Sequence, residues 1–238
     1  MIRGDQLQKS KGGVWILKGV DIAVERGRVC SVLGPSGGGK TTLLHALALV
    51  DPPDSGVVHI GGDRYELPIK PGAIAQSKLY PRLSMVFQGH FLFPHLTIKE
   101  NLALPLKELG RDLSALAGLA NELNIGHILG KFPHACSGGE KQRAALARQV
   151  LLSPEYLFLD EITSSLDVET IQIVEGIIRR LTASGCGILM VTHSINLARR
   201  LADTFCFLDG GLVVEGGSTD ALRDPRTERL KQFVRYHD

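Results

Sequence analysis

Long hydrophobic runs are missing from this chain of 238 residues; no apolar stretch approaches the roughly 18 residues that a membrane span needs. The start, Met1, Ile2, Arg3, Gly4 and Asp5, lacks the apolar core of a signal peptide. Paired cysteines are missing too. Cys30, Cys136, Cys186 and Cys206 are scattered, with no C-x-x-C, which suits a reducing compartment and argues against disulfides or structural zinc. Neither sign of charge is in excess: 27 basic against 25 acidic residues leaves +2, so nothing global points to nucleic acid or an anionic surface. There is no internal repeat and no low-complexity segment. These absences predict a soluble, intracellular protein that can still dock on a membrane protein.

What is present is enough apolar material, 44%, for a sizeable core. The length fits one large domain, or a core with an inserted subdomain. The most specific stretch is Gly34, Pro35, Ser36, Gly37, Gly38, Gly39, Lys40, Thr41, Thr42, which fits the P-loop pattern G-x-x-x-x-G-K-[ST]. Its flanks agree. Val29 to Leu33 is β-prone, and Leu43 to Leu49 reads as a helix. Glycines let the backbone curl so that successive N–H groups wrap a phosphate chain, and the following helix adds its positive end. Lys40 is then expected to reach the β- and γ-phosphates, and the Thr41 hydroxyl to bind Mg²⁺.

Residues 14 to 33 alternate apolar and polar positions around a turn at Glu25, Arg26 and Gly27, predicting strands that lead into the P-loop. Val57 to Ile60 is a short strand; 63 to 80 carries no clear pattern. From about 96 to 152 strands vanish, and leucine and alanine recur at helical spacing. Thr97 and Glu100 form a capping box, and 113 to 123 suggests another helix. Leu157, Phe158, Leu159 and Ile188 to Val191 are continuous apolar runs, as buried parallel strands require. Residues 168 to 182 are helical, 205 to 215 read as a hairpin, and the tail is polar and helical. The expected fold is α/β: a core with a mainly parallel sheet, an N-terminal antiparallel β subdomain and an inserted α-helical subdomain.

Two further motifs carry chemistry. The apolar strand before Asp160 and Glu161 ends in two acids. Asp160 can face Mg²⁺, and Glu161, one residue on, can orient a water in line with the γ-phosphate. In Cys136, Ser137, Gly138, Gly139, Glu140, the pair Ser137 and Glu140 is again a capping box. Two glycines in a first helical turn are costly unless the backbone must approach something closely, such as a phosphate.

In this order the motifs resemble the ATP-binding subunit of an ABC transporter, a P-loop NTPase, and the likeness covers essentially the whole chain. It extends to Gln88 as a Q-loop, to Ser165, Leu166 and Asp167 as a D-loop, and to His193 as the switch histidine. The resemblance implies one domain over 1–238, with 1–88 and 154–238 as ATP-binding core and about 89–153 as the helical signature subdomain. It implies ATP and Mg²⁺ as ligands, with Thr41, Gln88 and Asp160 near the metal, and Lys40, Glu161 and His193 as catalytic groups. Two subunits, a homodimer, would face head to tail. Each ATP would lie between one P-loop and the other subunit's Ser137, Gly138, Gly139 and Glu140. Integral-membrane permease subunits, an extracytoplasmic binding protein and a place on the cytoplasmic face of the membrane complete the implied system, with no nucleic acid.

The chain also departs from the family pattern. Lys11 stands where an aromatic residue stacks on adenine, and Trp15 is the only nearby aromatic; it stacks instead, or it is ordinary packing. Glu140 replaces a glutamine and is tolerable if its carboxylate folds back as a helix cap. Ile162 stands for a proline after the acidic pair, and Ser194 for an acid after His193. Phe91, Leu92, Phe93, Pro94, His95, Leu96 and Thr97 are either core or the edge of a groove for a membrane subunit. The hairpin from Phe207 and the tail Asp224 to Arg229 are similar to polar amino-acid importer ATPases. The S-G-G-E variant is similar instead to lipoprotein-release and cell-division ATPases, which leaves a non-transport membrane complex as the alternative.

Overall fold

The computed structural model describes residues 1–69, 79–89, 91–163 and 166–237. Five strands and one helix come first: β1 (Ile2–Lys11), β2 (Val14–Val24), β3 (Val29–Leu33), α1 (Lys40–Leu47), β4 (Ser55–Ile60) and β5 (Asp63–Leu67). After β6 (Leu83–Val86) the chain turns helical, with α2 (Ile98–Glu108), α3 (Ser114–Glu122) and α4 (Gly138–Val150). It then alternates through β7 (Tyr156–Asp160), α5 (Val168–Ala183), β8 (Gly187–Val191) and α6 (Ile195–Leu201). The hairpin β9 (Thr204–Asp209) and β10 (Leu212–Ser218) precedes the final helix α7 (Glu228–His237).

Two sheets result. β2, β1, β4 and β5 form an antiparallel sheet, in that order. The second runs β10-β9-β3-β8-β7-β6, parallel except for the antiparallel edge strand β10. Every residue of β3, β6, β7 and β8 is buried, as expected for parallel strands covered on both faces. Side chains alternate between two cores. Leu157 and Leu159 pack with Leu102, Leu119 and Leu146 of the helical stretch. Phe158 between them packs with Leu43, Leu44 and Leu47 of α1. A leucine buried to this degree contributes about 2 kcal/mol over an exposed one.

The order of strands and helices follows the sequence-based expectation, with four additions. β6 and α6 lie where the sequence suggested no element. β1 occupies 2–11, where no strand was expected. Its pairing with β2 shifts register between Gly4 and Leu7 and again after Leu7 and Lys9, which breaks the period-two pattern that marks a strand. β5 is an edge strand with no fully buried residue, so 63–67 carries no apolar signal. The rest of that unreadable stretch, 70–78, lies outside the described residues.

Candidate nucleotide-binding site

The glycine loop leaves β3 against the carbonyl end of β9. A Cβ on Gly34 would lie 2.0 Å from the Leu208 carbonyl oxygen, and its φ of 151° suits glycine alone. Gly39, at φ 99°, is the residue before α1, and its free space is limited by the Ile16 carbonyl at 3.0 Å. The loop therefore carries no side chains where it is tightest. Lys40, 7% exposed, folds back along it. Its ammonium donates to the Gly34 oxygen at 2.9 Å and the Pro35 oxygen at 2.8 Å. Burial pulls the Lys40 pKa down, and the negative charges of Glu161 and Asp160 oppose that shift.

β7 ends on the two acids. Asp160, 1% exposed, accepts a hydrogen bond from Thr41 Oγ1 at 3.2 Å. Burial raises the Asp160 pKa against the lowering effect of that bond. Glu161 turns the chain out of the strand with a left-handed φ of 48°, while its N–H still donates to the Val191 oxygen at 3.1 Å. Around its carboxylate stand Gln88 Nε2 at 3.4 Å and His193 Nδ1 at 4.0 Å. These residues come from four segments, the P-loop and the C-terminal ends of β6, β7 and β8, which lie side by side in one sheet. A cavity of about 330 Å³ opens there, with Lys11, Ile16, Lys40, Thr41, Gln88 and Glu161 in its lining.

A model of the ABC transporter family matches residues 17–164, from within β2 to just past the acidic pair. Octopine permease ATP-binding protein P of Rhizobium radiobacter is 36% identical over 96% of this chain and 92% of its own length. Arginine transport ATP-binding protein ArtP of Haemophilus influenzae is 35% identical over 98% of each chain. The chain belongs to the ABC transporter family. Among solved structures, the ATP-binding cassette MJ0796, dimeric in a post-hydrolysis state with ADP and Pi, superposes with a TM-score of 0.83. It is 26% identical and covers 92% of this chain and 99% of its own.

This ABC ATPase is an α/β P-loop NTPase that binds and hydrolyses ATP. Its signature residues are not part of the P-loop cavity. Ser137 is exposed and caps α4, accepting the Glu140 N–H at 3.2 Å, while Glu140 Oε2 accepts the Ser137 N–H at 2.6 Å. The carboxylate thus folds back as a cap, as its place in the motif requires. No other atom lies within 4 Å of a Cβ built on Gly138, so the helix end is open. In the D-loop, Leu166 packs on the core and Asp167 caps α5 by accepting the Thr170 N–H at 2.7 Å. Ser165 lies outside the described residues. Ser194 caps α6, accepting the Leu197 N–H at 3.2 Å, and Ile162 is buried at 2% exposure. Both departures from the family pattern thus have a structural use.

Trp15 is not brought to the cleft. It is half exposed on β2, paired in register with Ser10, while its neighbour Ile16 and the aligned Lys11 line the cavity. One residue escaped the sequence reading. Gln142, 4% exposed on α4, donates to the Glu161 backbone oxygen at 3.3 Å and ties the signature helix to the catalytic strand end. Its signal was a polar side chain on the helix face that carries Leu146.

Thr41 and Asp160 also fit Mg²⁺. Both offer hard oxygen donors, 3.2 Å apart, and Mg²⁺ is typically held by one or two such groups plus phosphate and water.

Proposed function

We propose that this ATPase powers the import of polar amino acids through a membrane permease, by ATP-driven closure of a head-to-tail homodimer. The observation that carries the substrate class is the likeness along nearly the whole chain to relatives named for octopine, arginine, cystine and glutamate transport. A second feature supports it. The importer-like hairpin and tail are one unit: Glu215 on β10 accepts the backbone N–H groups of Arg226 at 3.0 Å and Thr227 at 2.9 Å, and Arg229 pairs with Asp209.

In the proposed cycle the Lys40 ammonium leaves the Gly34 and Pro35 carbonyls for the phosphate oxygens of ATP, a stronger anionic partner. Thr41 and Asp160 would hold Mg²⁺, which would neutralise phosphate charge. The Glu161 carboxylate holds the attacking water in line, and Gln88 and His193 restrict it from either side. The partner's Ser137 hydroxyl and the N–H groups of Gly138 and Gly139 close over the γ-phosphate, as the open end of α4 allows. Asp167 and its neighbours then lie between the two sites.

The permease contact falls beside Gln88. Phe91 and Phe93 are 65% and 43% exposed, next to an apolar groove of about 590 Å³ that includes Val50, Tyr80 and Phe87. A helix from the membrane subunit fits such a groove. No helix among the described residues is long and apolar enough to cross a membrane. In the proposed assembly the subunit sits on the cytoplasmic face of the membrane through the permease contact. An extracytoplasmic binding protein would deliver substrate from the far side.

The test is reconstitution in liposomes with the native permease, identified by copurification, and an amino-acid binding protein. ATP turnover should rise with arginine, glutamate or another polar amino acid on the far side. Turnover that no amino acid stimulates, with the assembled complex verified, overturns the substrate class but leaves the ATPase.

A further inference from the structure

Glu140 puts a fixed negative charge at the end of α4 that faces the partner's triphosphate in the proposed dimer. Left to itself, that charge opposes closure. The surroundings of Glu140 offset it. One carboxylate oxygen is taken by the Ser137 N–H at 2.6 Å, and the other lies 3.2 Å from His127 Nε2. His127 stands in the short 3-10 turn Gly126–Ile128, which follows α3 and faces the start of α4. The Ser137 N–H bond, then the His127 contact and the nearby Lys131, hold the Glu140 carboxyl below its usual range against the effect of burial. The Glu140 side chain is 17% exposed and that of His127 63%.

We propose that His127 is a positioning residue for the partner subunit's ATP: it turns the Glu140 carboxylate back onto the Ser137 N–H. The proposal rests on the head-to-tail reading. With Nε2 protonated the ring donates to Glu140 Oε1, leaving the Ser137 hydroxyl and the Gly138 and Gly139 N–H groups free to face phosphate. An exposed pair of this kind contributes little to folding. Its effect belongs to closure, where two anions meet in a space that excludes water and the carboxylate would otherwise swing towards the phosphate. The dimer contains the pair twice, so a loss of about threefold at each site reads as about tenfold in assembly.

The experiment uses the full chain with Glu161→Gln as parent, and reads the ATP concentration at half-maximal dimer by light scattering in the presence of Mg²⁺. His127→Ala in that parent should raise the midpoint about threefold, because two ATP molecules enter each dimer, with monomer ATP affinity unchanged. His127→Lys should restore it. Glu140→Gln removes the charge, so adding His127→Ala to Glu140→Gln should change nothing further. A His127→Ala midpoint equal to the parent's overturns the inference and leaves the dimer reading standing. So does an equal defect with and without Glu140→Gln, because the histidine then acts through the fold. Loss of monomer ATP affinity in His127→Ala also counts against it, since His127 has no role in its own subunit's ATP. A parent that stays monomeric at saturating ATP removes the head-to-tail reading, and this inference with it.

Discussion

Gln88 Nε2 stands 3.4 Å from Glu161 Oε2, and the same short segment ends at Phe91, whose ring meets Phe87 edge-on at 5.1 Å. The group touching the Glu161 carboxylate and the exposed apolar surface are thus a few residues apart on one connection. In the proposed assembly, a partner pressing on Phe91 would reach Gln88 through this connection. Gln88→Ala should lower kcat about tenfold, the size of one lost orienting hydrogen bond, with little change in KM for ATP. Steady-state ATPase assays check this; a KM effect alone would return Gln88 to simple binding.

Lys40→Ala should abolish hydrolysis and weaken ATP binding about a hundredfold, since a buried cation to the phosphates is lost. Isothermal titration measures the second effect. Near-normal turnover in this variant would remove the P-loop assignment.

Glu161→Gln keeps shape and loses charge, so kcat should fall about a thousandfold while ATP still binds. With ATP and Mg²⁺ the variant should accumulate as a dimer in size-exclusion light scattering. His193→Ala should slow turnover less, because His193 approaches Glu161 only to 4.0 Å. Full activity in His193→Ala would leave it a structural residue.

The cavity lining separates two neighbouring side chains. Ile16→Ala should weaken ATP binding about threefold through lost apolar contact, and Trp15→Ala should change it less. Trp15 is the only tryptophan, so its emission reports directly. ATP and inorganic triphosphate should shift it equally; a shift specific to ATP would put the indole on the adenine.

Stability should carry a carboxylate signature at the tail. Burial pushes the Glu215 pKa up, but the backbone N–H bonds from Arg226 and Thr227, the Thr227 hydroxyl and the Arg226 charge together depress it. A depressed pKa stabilises the fold above the unfolded value, and that contribution is lost as pH falls through the folded value. Glu215→Gln should therefore cost about 2 kcal/mol at pH 7 and progressively less below about pH 4. Thermal melts of both proteins from pH 7 downward measure the convergence; a constant gap would mean the loss is steric.

Much of the site was readable because its chemistry is local. Gly34 to Thr42, the capping boxes at Thr97 and Ser137, and Leu157 to Glu161 each announce their conformation within a few residues. What stayed hidden depends on pairs far apart in sequence. Glu215 reaching Arg226 and Thr227, His127 reaching Glu140, and Gln142 reaching the Glu161 carbonyl leave no trace in spacing. β1 was hidden for a different reason, because its register shifts erase alternation at Gly4 to Leu7. Glu140 pulled the sequence reading towards lipoprotein-release and cell-division ATPases, yet its carboxylate has a local use as a cap.

The left-handed backbone at Glu161 has a consequence for how this protein can change. Such a conformation costs an ordinary residue about 1 kcal/mol that glycine would not incur. Random substitution under selection for folding alone should therefore drift towards glycine at this position, gaining thermal resistance and losing turnover. A screen for heat-tolerant variants of this chain that omits an activity readout should enrich inactive ones at that codon. If Glu161 has its proposed role, the reaction keeps the protein at its less stable option.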